Sequence, residues 1–103
     1  MMNKLYSMLG IGKKAGFITS GETGCIQNMK KDKCKLLLLA SDASDNTKDK
    51  FISLCNRKKI KYVIIGKKHE LGGSIGKDIA ATISITDDSF TKAVLNIIDI
   101  DAR

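Results

Sequence analysis

Proline and tryptophan are both missing from this chain of 103 residues, and histidine occurs once. Without proline, and with no Gly- or Ser-rich stretch, nothing marks a linker. The length itself is that of one domain, about 100–150 residues. Aromatics are scarce, two tyrosines and three phenylalanines, too few for a platform on which single-stranded bases stack. The longest uninterrupted apolar run is Leu36 to Ala40, against the ~20 residues that cross a bilayer. The opening residues hold no apolar core of a secretory signal. These absences predict a cytoplasmic protein with no membrane partner.

Chemistry-bearing residues are equally sparse. Cys25, Cys34 and Cys55 are odd in number and lack metal-ligand spacing, so they read as free thiols in or beside the core. His69 has no Cys or His close in sequence, which leaves no metal site and no imidazole-based catalysis. Gly10-x-Gly12-Lys13 follows a helix rather than a strand, the wrong setting for a phosphate loop. Gly72-Gly-Ser-Ile-Gly76-Lys77 lacks the first glycine and the closing Ser/Thr of that motif. Asp42, Asp45 and Asp78 are the only carboxylates that could serve an enzyme, and a turn followed by a helix cap is the favoured reading of the first two. No catalytic residue, metal or cofactor is expected.

What the chain does have is positive charge, +7 overall with an isoelectric point near 9.4. It is unevenly spread. Residues 1–86 carry 16 basic and 7 acidic groups, hence +9, and residues 87–103 carry 2 and 4, hence −2. A basic domain of this kind favours nucleic acid as its partner.

Apolar spacing predicts alternating helices and strands: a helix from Lys4 to about Gly12, then a basic Gly-rich corner and a short strand Phe17–Thr19. Gly21–Lys31 reads as a second helix, capped by Thr19 or Ser20. Lys35–Ala40 reads as a strand covered on both faces. A third helix over Thr47–Arg57 is capped by Asp45 or Asn46. Tyr62–Ile65 is a strand closed by Gly66, His69–Ile75 a short helix, and Thr82–Thr86 a fourth strand. A last helix follows, capped by Asp88 or Ser89, with Phe90, Val94, Leu95 and Ile98 as its stripe. Such alternation gives a sheet between helical layers.

Four basic clusters follow from this order. Lys30–Lys35 and Arg57–Lys61 sit where helices end, where the macrodipole stabilises cations by ~0.3–1 kcal/mol each. They read as solvated helix ends. Lys13, Lys14, Lys67, Lys68 and Lys77 are expected near the carboxyl ends of strands, where open α/β sheets bind ligands. They are the predicted phosphate contacts, with the N-terminus of the second helix beside them. Without stacking aromatics, shape and backbone readout of a folded RNA is the expected mode.

Taken in order, Leu9-Gly, Lys14-Ala-Gly16, Ser20-Gly21-Glu22, Lys35 to Asn46 and Leu71 to Asp78 resemble the L-seven-Ae/L-thirty-e family of ribosomal proteins. The likeness extends to its small bacterial YlxQ-like branch. These landmarks cover nearly the whole chain. The resemblance implies a single α/β domain, 1–103: a three-layer α/β/α sandwich around a four-stranded mixed sheet. It also implies non-enzymatic binding of kink-turn or ribosomal RNA, in an RNA–protein particle that can supply a protein partner as well.

Strong kink-turn binders of the family carry Gly-x-Asn-Glu-x-x-Lys at the mouth of the second helix. Here Gly21 matches, but Thr23 stands for Asn, Gly24 for Glu and Gln27 for Lys. Thr23 and Gln27 keep hydrogen-bonding capacity, and Glu22 is the nearest carboxylate acceptor. The resemblance further implies that Ile79 and Ala80 pack on a flipped-out nucleotide, with Asp45 and Asn46 bordering the same surface. The rival expectation is a protein-interaction module that keeps the fold and has lost RNA reading.

Overall fold

The computed structural model describes residues 3–101 and has nine elements. They are α1 (Asn3–Ala15), β1 (Ile18–Ser20), α2 (Glu22–Lys30), β2 (Leu36–Leu39), α3 (Asp45–Lys58), β3 (Lys61–Ile64), α4 (Lys68–Ser74), β4 (Thr82–Ile85) and α5 (Asp88–Asp101). The four strands form one mixed sheet in the order β1-β4-β2-β3. β2 pairs parallel with β3 and antiparallel with β4, and β4 pairs antiparallel with β1. The fold is therefore the α/β sandwich with a four-stranded mixed sheet that the sequence suggested.

The all-leucine strand divides its side chains between two cores, because successive residues of a strand face opposite ways. Leu36 and Leu38 join Leu5, Leu9, Leu71, Ile83, Ile85 and Val94 under α1, α4 and α5. Leu37 and Leu39 join Cys25, Met29, Phe51 and Cys55 under α2 and α3. All three cysteines are buried free thiols on this second side. Burial, the dominant influence, pushes the Cys25 thiol up to about 12 and that of Cys55 up to about 11.

Several local expectations are corrected. α1 does not stop near Gly12 but runs to Ala15, and the corner is a single turn at Gly16 (φ +82°). Gly10 and Gly12 are thus helical residues, and their lack of a side chain lets other elements come close: a Cβ on Gly12 would lie 2.4 Å from Phe90 Cζ. The cap of α3 is Ser44, whose Oγ accepts from the Thr47 N–H at 3.1 Å, with Asp45 and Asn46 already inside the first turn. Asp87 rather than Asp88 or Ser89 holds the start of α5, accepting from the Phe90 N–H at 2.8 Å. Neither Thr19 nor Ser20 caps α2. Its N-cap is Gly21, with no side-chain hydrogen bond.

Candidate nucleic-acid interface

Strand directions decide which residues meet. β1, β2 and β3 run the same way and β4 runs against them. One edge of the sheet, called here the upper edge, therefore gathers the chain just after β1, β2 and β3 and just before β4. Backbone hydrogen bonds stitch it together: Gly21 N–H to Thr82 O (3.2 Å), Ala40 N–H to Ala81 O (2.9 Å), Ser41 N–H to Gly66 O (2.7 Å) and Ala80 N–H to Lys68 O (2.9 Å).

At this edge α2 begins. Gly21 adopts φ +88° and ψ 157°, a conformation open to glycine and strained for any L side chain. The following chain turns into the helix with its first-turn N–H groups uncapped, so their partial positive charge faces outward. Thr23 and Gln27, both exposed, are four residues apart on one helical face. Glu22 looks the other way. Its carboxylate accepts from Thr47 Oγ1 at 3.1 Å and lies 3.6 Å from Lys50 Nζ, tying the start of α2 to the first turns of α3.

The neighbouring loops complete the edge. Lys67 is the exposed N-cap residue of α4, and Asn46 is exposed in the first turn of α3. Ile79 is 63% exposed and presents its apolar side chain to solvent at this edge. Ala80 is 3% exposed and belongs to the core, so of this expected apolar pair only Ile79 presents its side chain. Lys77 is exposed in the turn beyond α4.

Lys13 and Lys14 are not at this edge. They occupy the last turn of α1, which leads into the start of β1 at the opposite, lower edge. They precede β1 in the chain, so they lie at its starting end wherever α1 stops, and not at the carboxyl end of a strand.

Four polar residues that the sequence reading did not place here shape the edge. Asp42 Oδ1 accepts from the Lys68 N–H at 2.8 Å, so this aspartate caps α4, not α3. That bond, chiefly, holds its carboxyl below the usual aspartate range. Ser41 Oγ donates to Gly66 O at 2.8 Å, and Lys48 Nζ donates to Ser41 O at 2.7 Å. Thr47 links Ser44 to Glu22. A polar run after a buried strand signalled a turn with caps, but the partners lie 25–26 residues away and cannot be read locally.

The sequence model of the ribosomal protein L7Ae/L30e/S12e/Gadd45 family matches residues 3–95. The chain is 33% identical over 94 residues to the RNA-binding protein YlxQ of Bacillus subtilis (strain 168), spanning 91% of this chain and 94% of that one. It is also 33% identical over 75 residues to the large ribosomal subunit protein eL8 of Thermoplasma volcanium, spanning 72% of this chain and 62% of that protein. Among solved structures, a protein with unknown function from Bacillus halodurans C superposes with a TM-score of 0.88 at 29% identity, covering 93% of this chain and 97% of the other. The Giardia lamblia 15.5kD RNA binding protein shares the fold, with a TM-score of 0.77 at 24% identity over 94% and 83% of the two chains. Superposition and sequence agree: this chain belongs to the ribosomal protein L7Ae/L30e/S12e/Gadd45 family, in its small bacterial YlxQ-like branch.

Proposed function

We propose that this protein binds structured RNA at the upper edge of its sheet and catalyses no reaction there. One observation carries the reading: the uncapped start of α2 opens onto the same edge as the Lys67 cation and the solvent-facing Ile79. Backbone N–H groups at a helix start suit a phosphate, and an exposed apolar side chain suits an unstacked base. Two carboxylates at this edge are already engaged: Asp42 caps α4, and Glu22 is held by Thr47 and Lys50. Membership of the family and the names of its relatives, RNA-binding proteins and a ribosomal protein among them, support the same ligand class.

In this reading Gly21 lets the RNA backbone approach, Thr23 and Gln27 give neutral hydrogen bonds to bases, and Lys67 and Lys77 hold phosphates. Asn46 borders the site, and Ala80 contributes only backbone. Glu22 positions the helix start through Thr47 and Lys50. Lys13 and Lys14 act on RNA only beyond this edge.

A kink-turn is the favoured RNA, read more weakly than by relatives with Asn, Glu and Lys at positions 23, 24 and 27. A hydrogen bond to a charged group contributes about 1.5–3 kcal/mol and a neutral one about 1. Losing two charged partners lowers affinity by roughly one to three orders of magnitude. The test titrates labelled kink-turn RNA, and the same RNA with its G·A pairs replaced, at two salt concentrations. The expected result is salt-sensitive binding to both, several-fold tighter to the intact kink-turn. Absence of binding to either at low salt overturns the proposal and points to a protein partner.

A further inference from the structure

We propose that the lower edge of the sheet, opposite the candidate interface, is a second RNA surface that grips the phosphate backbone of a duplex irrespective of sequence. The ligand class rests on the reading above, whereas the surface and its mode of contact do not.

The observation is a convergence that strand direction imposes. α2 and α3 lie on the same face of the sheet and both end at the lower edge, and β2 and β3 both start there. Lys30 and Lys31 close α2, and Lys33 and Lys35 lead into β2. Arg57, Lys58 and Lys59 close α3, and Lys61 opens β3. The two groups face each other across a groove lined by Asp32, Lys35, Lys58, Lys59 and Lys61.

Eight cations thus meet few carboxylates. Asp32 pairs with Lys58 at 2.9 Å, and Asp88 lies 3.9 Å from Lys35. Asp87 is committed to the Phe90 N–H. Six of the eight cations therefore have no ion-pair partner among the described residues.

The helix macrodipole accounts for cations in the last turns of α2 and α3. It does not account for Lys33, Lys35 and Lys61, which stand outside the helices. Nor does it explain Lys59. That residue holds φ +57° and ψ +44°, the left-handed helix-end position that glycine occupies at least cost. Among the described residues, only Lys59 and Asp32 adopt positive φ without being glycine, and both line this groove. A lysine in this conformation, where glycine would fit at less cost, supports a role for its charge at the groove.

The chemistry narrows the polyanion. Seven of the eight cations are lysines, which meet phosphate as point charges and do not fork onto base edges as arginine does. Among the described residues the large exposed hydrophobic side chains are Ile11, Ile64 and Ile79, none of them at this groove. The apolar side chains that do line it, Cys34 and Ile60, are buried and half-buried, so it offers no exposed apolar wedge for a lipid surface or for base insertion. Backbone contact with an A-form stem remains, the mode in which shape and phosphate are recognised. The molecule measures 30 × 27 × 27 Å, so a stem lying along one edge leaves the other open. The protein would then bridge two RNA segments.

The experiment uses the full chain and two probes: a plain 20-base-pair RNA duplex and a kink-turn RNA. A lower-edge variant combines Lys31→Gln, Lys33→Gln, Lys59→Gly and Lys61→Gln. An upper-edge variant combines Lys67→Gln and Ile79→Ser. The lower-edge variant is expected to bind the plain duplex at least tenfold more weakly at low salt, with a salt slope shallower by about three to four. The upper-edge variant should bind the kink-turn RNA more weakly, yet lose less affinity for the plain duplex than the lower-edge variant, with a salt slope shallower by only about one. Lys59→Gly alone should raise the melting temperature yet weaken duplex binding, which a structural role for Lys59 would not produce. Unchanged affinity and slope in the lower-edge variant, equal losses in both variants, or no duplex binding by wild type each overturns the second surface. Failure of the upper-edge reading appears separately, as indifference of the kink-turn probe to its G·A pairs.

Discussion

Gly12 and Gly73 are both helical glycines, and the space around each gives substitution opposite signs. Alanine in place of glycine gains about 1 kcal/mol of helix propensity at either position. At Gly12 the new Cβ would lie 2.4 Å from Phe90 Cζ and 3.0 Å from Ile18 Cδ1. Phe90 cannot easily retreat, because its ring packs on Phe17 with centroids 5.5 Å apart. Overpacking of this kind costs about 1–3 kcal/mol and outweighs the propensity gain. At Gly73 nothing lies within 4 Å. Gly12→Ala should therefore lower stability by up to about 2 kcal/mol, and Gly73→Ala should raise it by up to about 1 kcal/mol. Thermal or urea unfolding of the two variants checks both signs. From the sequence alone these glycines looked alike, as turn and helix-end residues. Only the neighbours separate them.

At the scale of elements, α2 shows how packing on the sheet constrains recognition. The family's strong kink-turn readers carry Glu where this chain has Gly24, and a Cβ there would lie 2.6 Å from Thr19 Cγ2 on β1. The helix start sits too close to its strand for a side chain at that position while Thr19 keeps its methyl. Installing Thr23→Asn, Gly24→Glu and Gln27→Lys should therefore cost stability, and adding Thr19→Ser should recover most of it. The fourfold variant is expected to bind kink-turn RNA at least tenfold tighter than wild type, through two regained charged contacts. Titration beside thermal melts checks this. Equal kink-turn affinity in wild type and the fourfold variant would sink the assigned roles of these positions. The elements themselves were legible because apolar periodicity is local: every helix and strand was anticipated, with most ends displaced by one to three residues. The caps were not. The bonds of Glu22 and Asp42 at the upper edge cross 25 or 26 residues of sequence.

For the whole molecule, the same cross-links predict a response to acid. Asp32 is held below the usual aspartate range chiefly by its hydrogen bond to Lys58, and Asp42 by the Lys68 N–H. A carboxyl depressed on folding adds stability that is present above its unfolded pKa and is lost as pH falls through the folded one. Stability should thus hold from neutral pH to about 5 and decline below about 4. Asp42→Asn should flatten that decline and lower stability at pH 7, as denaturant melts across pH would show. Composition and hydropathy patterning by themselves determined the single α/β domain, the order of its elements, the doubly covered leucine strand and the excess of positive charge. Only the tertiary structure decided where that charge goes. Three strands run one way and β4 runs the other, so the starts of α2, α3 and α4 collect at one edge and the lysine-rich ends of α2 and α3 at the opposite one. Pairing direction is a long-range property, set by how buried faces close on each other, and no local run of residues encodes it.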